Sequence, residues 1–159
     1  MYGSSDIRYI LCITKGVCDL DITSFTGEYE FLSNSYHCPF EYDGVEYACV
    51  TTAYWALSVK DHHARTKIAR LRFNKAKAKA INMAQEDDWE QKKVGVMYKL
   101  LQIKFSKPEL REKLLGTGNA KLINNVTYFD DFYGVKDGKG MNLLGKLLMK
   151  LRDELRYDN

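Results

Sequence analysis

Two threonines followed within one helical turn by two large aromatic residues, Thr51-Thr52 then Tyr54-Trp55, make up the stretch of this sequence best equipped for chemistry; Ser58, Lys60 and Asp61 lie just beyond it. The hydroxyls can donate and accept hydrogen bonds, the rings can stack on a flat heterocycle, and the lysine and aspartate supply charge. Upstream, Asp43-Gly44 separates the alternations Phe40-Glu41-Tyr42 and Val45-Glu46-Tyr47, which predicts a hairpin. Thr51 or Thr52 then predicts the cap of a helix whose apolar positions are Ala53, Tyr54, Ala56 and Leu57. A strand running into a helix start leaves N–H groups aimed at a shared space, a setting that suits an anionic or polar ligand.

Other candidate chemistries are weaker. His37, His62 and His63 have no partner at metal-ligand spacing, so no metal site is expected. No Gly-flanked nucleophile elbow is present, and Gly138, Gly140 and Gly145 match neither a P-loop nor a dinucleotide fingerprint. The basic residues Arg65, Lys67, Arg70, Arg72, Lys75, Lys77 and Lys79 are spread around two helices and followed by Glu86, Asp87 and Asp88, which reads as a solvated face rather than a nucleic-acid stripe. The aromatics Trp89, Tyr128, Phe129, Phe132 and Tyr133 are individually core candidates. As a group at helix starts and in a loop they could stack a purine or pyridine ring.

The elements that must position these residues follow from periodicity and turn chemistry. Strands are expected at Arg8–Thr14, near Ile22–Phe25 and, from the Tyr/Phe alternation, over Phe25–Asn34, ending in a Ser33-Asn34 turn. Helices are expected over Tyr54–Lys60, Ala64–Leu71 and Lys75–Met83. The longest begins at Asp87 or Asp88, with Asp87 and Glu90 as a capping box and Val94, Met97, Leu101 and Phe105 on one face. A short helix near Pro108–Gly116 follows, then a strand and aromatic loop between Lys121 and Gly134, and a last helix burying Leu144, Leu147, Leu148, Leu151 and Leu155. The fold class is therefore α+β, a mostly helical single domain with a small sheet.

Composition sets the outer bounds. A chain of 159 residues, 45% hydrophobic and 28% charged, can bury a core without staples. A net charge of +3 suits phosphate-bearing ligands but falls short of a dedicated nucleic-acid binder. Cys12, Cys18, Cys38 and Cys49 show no C-x-x-C spacing and read as free thiols in a reducing compartment. The apolar run Tyr9–Ile13 is too short for a signal sequence, and no run approaches a membrane span, so a cytoplasmic protein without membrane partners is expected.

Several segments, taken in order and spacing, resemble the NADAR family. They are Phe25 to Asn34, Pro39-Phe40 with Asp43-Gly44, Tyr54, Arg65, Asp88-Trp89, Val96-Met97, Lys104-Phe105, Glu109-Leu110, Leu114 to Gly118 and Gly140 to Arg152. The likeness covers about residues 22 to 156. It implies residues 22–159 as a NADAR-like domain and 1–21 as an extension packed on it, adding an edge strand or a subunit contact in a homo-oligomer. That family includes N-glycosidases acting on ribosylated pyrimidine intermediates of riboflavin synthesis and on ADP-ribosylated guanine. Carried over by position, Asn34, Asp88, Trp89, Tyr133-Gly134 (usually Trp-Gly in the family) and Asn142 would line a pocket for a ribosylated base, with Phe31, Thr51, Tyr54, Trp55 and Arg65 as further ligand-binding candidates. No cofactor is implied.

The departures fall in the first stretch described. Family members usually carry Glu-His where this chain has Thr51-Thr52, Gln at Trp55 and Lys at Ser58, and the glutamate is the presumed catalytic carboxylate. Cleaving an N-glycosidic bond builds positive charge on the ribose C1′, which a carboxylate stabilises while it activates water. Threonine does neither, a loss of roughly 10²- to 10⁴-fold in rate. The expected function is non-hydrolytic binding or sequestration of an ADP-ribose-derived nucleotide, as in viral antagonism of nucleotide immune signalling. The alternative is an active N-glycosidase in which Asp61, Asp88, Asp130 or Asp131 has taken over, Asp88 and Asp131 being the ones to test.

Overall fold

A computed structural model describes residues 20–158. The expected strand at Arg8–Thr14 and the thiols Cys12 and Cys18 lie outside the described residues. Among the described residues the fold is α+β and mostly helical, with one two-stranded antiparallel sheet, and gathers into two compact units. One is Thr26–Leu110; the other joins the described residues up to Phe25 with those from Arg111 onward.

In the Thr26–Leu110 unit the hairpin forms as expected. Strands β1 (Phe40–Tyr42) and β2 (Val45–Tyr47) pair with Phe40 opposite Tyr47. The two-residue loop has Asp43 at φ 52° and Gly44 at φ 74°, the left-handed pair that matches strand twist and favours Asp-Gly. Four helices follow: α1 (Val50–Ser58), α2 (His62–Ala69), α3 (Phe73–Ala80) and α4 (Trp89–Lys104). Helix α1 packs on α2, α3 and α4, and buries Val50, Thr52, Ala53, Tyr54, Ala56 and Ser58. On α4, Met97, Leu100, Leu101 and Lys104 are buried, with Phe105 just after. The expected α4 face is present, with Val94 half-buried at its start. Cys38 and Cys49 are buried free thiols.

Several expectations are corrected. Phe25–Asn34 is not a strand: Gly27–Leu32 is a 3₁₀ helix that buries Phe31 and Leu32. The aromatic alternation is met by a tight helix because Phe31 and Leu32 are adjacent, and both must be inside. Helix α1 starts at Val50 after Cys49, with no side-chain cap, so Thr51 and Thr52 sit in its first turn instead of capping it. The capping box at Asp87 and Glu90 does not form. Asp88 is the cap residue without a capping hydrogen bond, while Asp87 and Glu90 turn to Lys60 and Lys93. The helices expected at Tyr54–Lys60, Ala64–Leu71 and Lys75–Met83 each begin and end earlier, as α1, α2 and α3.

In the other unit, helix α5 (Pro108–Gly116) brings the chain in and α6 (Leu143–Tyr157) closes it. Helix α6 buries Leu144, Leu147, Leu148 and Leu151; Leu155 is only half-buried. The strands expected near Ile22 and in Lys121–Val126 reduce to isolated bridges, Ile22 with Leu122 and Asn125 with Val135. The start of α6 is closed by main chain. Met141, Asn142, Leu143 and Leu144 donate their N–H groups to the carbonyls of Asp131, Gly134, Phe132 and Tyr133. Gly145 packs directly on the Leu122 carbonyl, where an added Cβ would collide. By contrast Gly95, inside α4, has open space around its would-be Cβ.

Two glycine substitutions should therefore move stability in opposite directions. Gly145→Ala overpacks a backbone carbonyl and should cost about 2 kcal/mol or more, lowering Tm by roughly 4–8 °C. Gly95→Ala should raise stability by about 0.5–1 kcal/mol through helix propensity. Thermal denaturation of the two variants beside the parent chain measures both.

Candidate functional site

The site is built on one of the accessible sides of α1. Thr51 and Trp55 are half-buried, one turn apart, and face the same way; the buried Tyr54 lies beside them. Tyr54 meets Trp55 edge to face, with ring centroids 5.3 Å apart, and Trp89 at 5.0 Å and 58°. Three aromatic rings thus form a corner, two from α1 and one from the first residue of α4. Lys77 of α3 places its ammonium 5.7 Å from the Trp55 ring centroid.

A cleft of about 340 Å³ opens against this corner, lined by Tyr54, Trp55, Gln85, Glu86, Asp87, Trp89, Glu90 and Lys93. The 85–87 segment reaches it through main-chain pairing with the end of α1. Glu86 N–H donates to the Ser58 carbonyl (2.9 Å) and Lys60 N–H to that of Ala84 (2.9 Å), around a Val59–Gln85 bridge. That volume accommodates a base with part of its ribose.

Charges around the cleft occur in pairs. Arg65, with a side chain 11% exposed, forms an ion pair with Glu86, whose side chain is 26% exposed. The same guanidinium donates to the Val59 carbonyl (2.9 Å) and meets His62 Nδ1 (3.2 Å). Lys60 pairs with Asp87 at 2.7 Å and Lys93 with Glu90 at 2.6 Å. Asp88 is exposed and pairs with Lys92 at 2.8 Å; this hydrogen-bonded ammonium holds its carboxyl below the usual carboxylate range. At neutral pH Asp88 is a bound carboxylate and a poor general base.

Preceding the hairpin, Phe31 is buried and Asn34 follows in a turn. The Asn34 carbonyl accepts from Thr51 N–H (2.9 Å), and Ser35 Oγ lies 3.2 Å from Thr51 Oγ1. Asn34 Nδ2 reaches only the Met97 sulfur, at 3.4 Å, and its Oδ1 is buried without a hydrogen-bond partner. A buried acceptor left open is expensive and marks a place where a ligand donor would fit.

The structure therefore brings Asn34 to Thr51, Tyr54 and Trp55 to Trp89, and Arg65 to the carboxylate side of the cleft. Asp88 faces Lys92. Tyr133, Gly134 and Asn142 belong to the other unit. There Asn142 Nδ2 donates to the Leu122 carbonyl (2.9 Å) and its Oδ1 accepts from Asn124 N–H (2.9 Å), so that side chain fastens a loop. Tyr133 is half-buried edge-on to Phe132, 4.8 Å between centroids. Gly134 is buried where a Cβ would crowd the Asp130 carbonyl and Val126, each at 3.0 Å. The alternative acids are otherwise engaged: Asp61 caps α2 by accepting from His63 and Ala64, and Asp130 Oδ1 accepts from the main chain of Phe132 and Tyr133. Asp131 is exposed. Ser58 is buried, its hydroxyl donating to the Trp55 carbonyl at 2.7 Å.

Sequence reasoning did not single out Gln85, Glu86, Glu90 or Lys93 as cleft residues. Glu86 stood only as part of an acidic stretch, and the bridge that carries it to the site joins positions 26 residues apart (85 − 59). Among the described residues no three His, Cys, Asp or Glu side chains are gathered as metal ligands, and no helix is long and apolar enough to cross a membrane.

Comparison with known proteins places this geometry in context. A family model, NADAR domain, matches residues 23–156. The chain is 32% identical over 148 residues to N-glycosidase YbiA of Escherichia coli (strain K12), covering 87% of this chain and 89% of that protein. It is 35% identical over 85 residues to the chloroplastic riboflavin biosynthesis protein PYRR of Zea mays. That match covers 53% of this chain but only 14% of the plant protein, so the chain spans a small part of it. The solved NMR structure of E. coli YbiA superposes with a TM-score of 0.79 at 31% identity, covering 89% of this chain and 88% of that one.

Arg65→Lys should show how far the cleft wall depends on one guanidinium. A lysine cannot reach the Val59 carbonyl, His62 and Glu86 together. The variant should lose about 1–2 kcal/mol in urea unfolding, with most of the loss surviving raised salt because the pair is largely shielded.

Proposed function

We propose, from the premise that this chain belongs to the NADAR family, that it binds an ADP-ribose-derived nucleotide at the Tyr54–Trp55–Trp89 corner and holds it without cleaving the base. Membership supports a nucleotide- or glycosidase-related function. Retention without hydrolysis is our reading of this chain's own residues, with residues 22–159 taken as the working domain.

The observation that carries it is the neutral hydroxyl of Thr51. It occupies the accessible strip of α1, one turn from Trp55, and its partner is another hydroxyl, that of Ser35. An oxocarbenium-like transition state gains far less from a hydroxyl there than from a carboxylate. The aromatic corner supplies stacking that acts equally on bound ligand and transition state, which lowers a dissociation constant without raising a rate. The orphan Asn34 Oδ1 supports a ligand with a hydroxyl or N–H donor, and a ribose or base provides both.

A second reading is favoured by one observation. Glu86 is a part-shielded carboxylate in the cleft wall, so a cleaving N-glycosidase, as the relatives' name says of them, would use it as the acid or base. The Arg65 ion pair argues against this, since it holds Glu86 as a neutralised wall residue.

Two measurements separate the readings. After incubation with ADP-ribose, heat denaturation should release the intact nucleotide, and Trp55→Ala or Trp89→Ala should weaken calorimetric binding about tenfold, the value of one lost stack. With an ADP-ribosylated base as substrate, the parent chain should release no free base while Thr51→Glu should. Release by the parent chain that Glu86→Gln abolishes would establish the second reading in place of the first.

A further inference from the structure

Helix α4 carries a lysine in an unusual place. Lys104 is 0% exposed, among the largest buried side chains of its unit, and has no carboxylate partner among the described residues. Its ammonium donates to the Ser33 carbonyl at 2.7 Å, a contact 71 residues away in sequence. It also lies 5.4 Å from the Tyr36 ring centroid and 5.2 Å from that of Phe105, so two aromatic faces share the charge that no anion balances.

The carbonyl it holds opens the turn that supports Thr51. Ser33 Oγ accepts from Ser35 N–H at 3.2 Å. The next two groups, the Asn34 carbonyl and the Ser35 hydroxyl, are the two partners of Thr51, at 2.9 and 3.2 Å. Asn34 itself carries the unpartnered Oδ1. One buried cation on α4 thus anchors a four-residue turn, two of whose polar groups, the Asn34 carbonyl and the Ser35 hydroxyl, meet Thr51 on α1. A core that needed only filling would carry methionine or leucine here, since a buried charge is costly.

We propose that Lys104 is a positioning residue for the ligand site, its ammonium fixing the Ser33–Tyr36 turn and through it Asn34 and Thr51, so that ligand affinity follows the protonation of this one side chain. The proposal rests on the binding role argued above. A charged donor makes a hydrogen bond about twice as strong as a neutral one, and a neutral amine also forfeits both cation–ring contacts. Loss of the proton therefore leaves the turn, but slackens it.

The working range lies near neutrality. Burial pushes the Lys104 ammonium down from the ordinary lysine value to about 7, against a smaller opposing influence from Cys38 and Cys49. The titratable groups facing it are those two thiols and the Tyr36 phenol. Its folded pKa is depressed, so between about 7 and 10.5 the unfolded chain holds more protons and stability rises with pH. Ligand affinity is expected to fall over the same range. The fall in affinity is the signature of positioning; a merely structural lysine would give the same rise in stability and leave affinity unmoved.

The test uses the full chain with ADP-ribose as probe, whose diphosphate does not titrate in the range. By calorimetry, affinity should weaken roughly 3- to 10-fold between about pH 6 and about pH 8.5, either side of the Lys104 value, while urea unfolding shows stability rising. Lys104→Met should remove both trends and bind at the weak alkaline level at every pH. The Cys38→Ser/Cys49→Ser variant should keep both trends, which assigns them to the amine. Independently of ligand, the backbone amide signals of Ser35 and Thr51 should titrate together in two-dimensional NMR with one midpoint near 7, and not in Lys104→Met. Thr51 and Ser35 amides that do not titrate, or a trend that survives Lys104→Met, overturns the proposal. Titrating amides with no ADP-ribose binding at any pH support the Lys104 linkage and overturn the ligand assignment instead.

Discussion

Helix α1 is constrained on nearly every side, and that constraint decides what the site can be. It packs on α2, α3 and α4 and follows the hairpin directly, burying six of its nine residues. An α-helix buried around most of its circumference can offer a ligand only the strip its neighbours leave open. Here the side toward the aromatic corner holds Thr51 and Trp55, with Ser58 in line one turn further and already beneath the surface; Leu57, also half-buried, lies on another side. Thr51, Trp55 and Ser58 run i, i+4, i+7 and so lie along one side of the helix, while the adjacent Thr52 is buried on another. Of these, Trp55 lines the cleft, Thr51 meets the Ser35 hydroxyl, and Ser58 closes on the Trp55 carbonyl.

Much of the frame was legible because local chemistry and tertiary packing agree there. Asp43-Gly44 demands left-handed φ at both positions, and only a tight hairpin supplies it. Leu144, Leu147, Leu148 and Leu151 leave α6 one face to bury. The misreadings have a common cause. Short segments hold too little periodicity to choose between strand and helix, so Tyr29 and Phe31 suggested alternation where a 3₁₀ helix forms. Capping residues are legible only if their side chains are not wanted elsewhere. Asp87 is drawn to Lys60 and Thr51 to Ser35, partners 27 and 16 residues away. Of the candidate site, the aromatic corner could be inferred from Tyr54, Trp55 and Trp89, whereas Gln85 and Glu86 arrive through main-chain pairing with α1, which no side-chain pattern announces.

Electrostatics sharpens the distinction between binding and cleavage. Each carboxylate in the cleft wall already has a cation: Glu86 has Arg65, Asp87 has Lys60 and Glu90 has Lys93. The two exposed pairs contribute little to stability, since water and salt screen them. The Arg65–Glu86 pair is shielded and hydrogen-bonded on several sides, so removing either partner would strand the other. A carboxylate so held cannot approach a developing cation without giving up its arginine. The paired cations also keep the wall close to neutral, which lets a diphosphate lie near it without strong repulsion.

The buried ammonium of Lys104 and the unpaired Oδ1 of Asn34 then belong to one economy of polar groups. A core in which every donor and acceptor is matched gains nothing from a ligand. This unit holds a cation with spare donors and, on the turn it anchors, an acceptor with none, both withdrawn from water. The cost of the open acceptor is met when a donor enters from outside, and that gain is available to any ligand that stays, whether or not a bond is broken. Thr51, neutral and paired with the Ser35 hydroxyl, adds no charge to this turn, and the proposal of retention without cleavage rests on that.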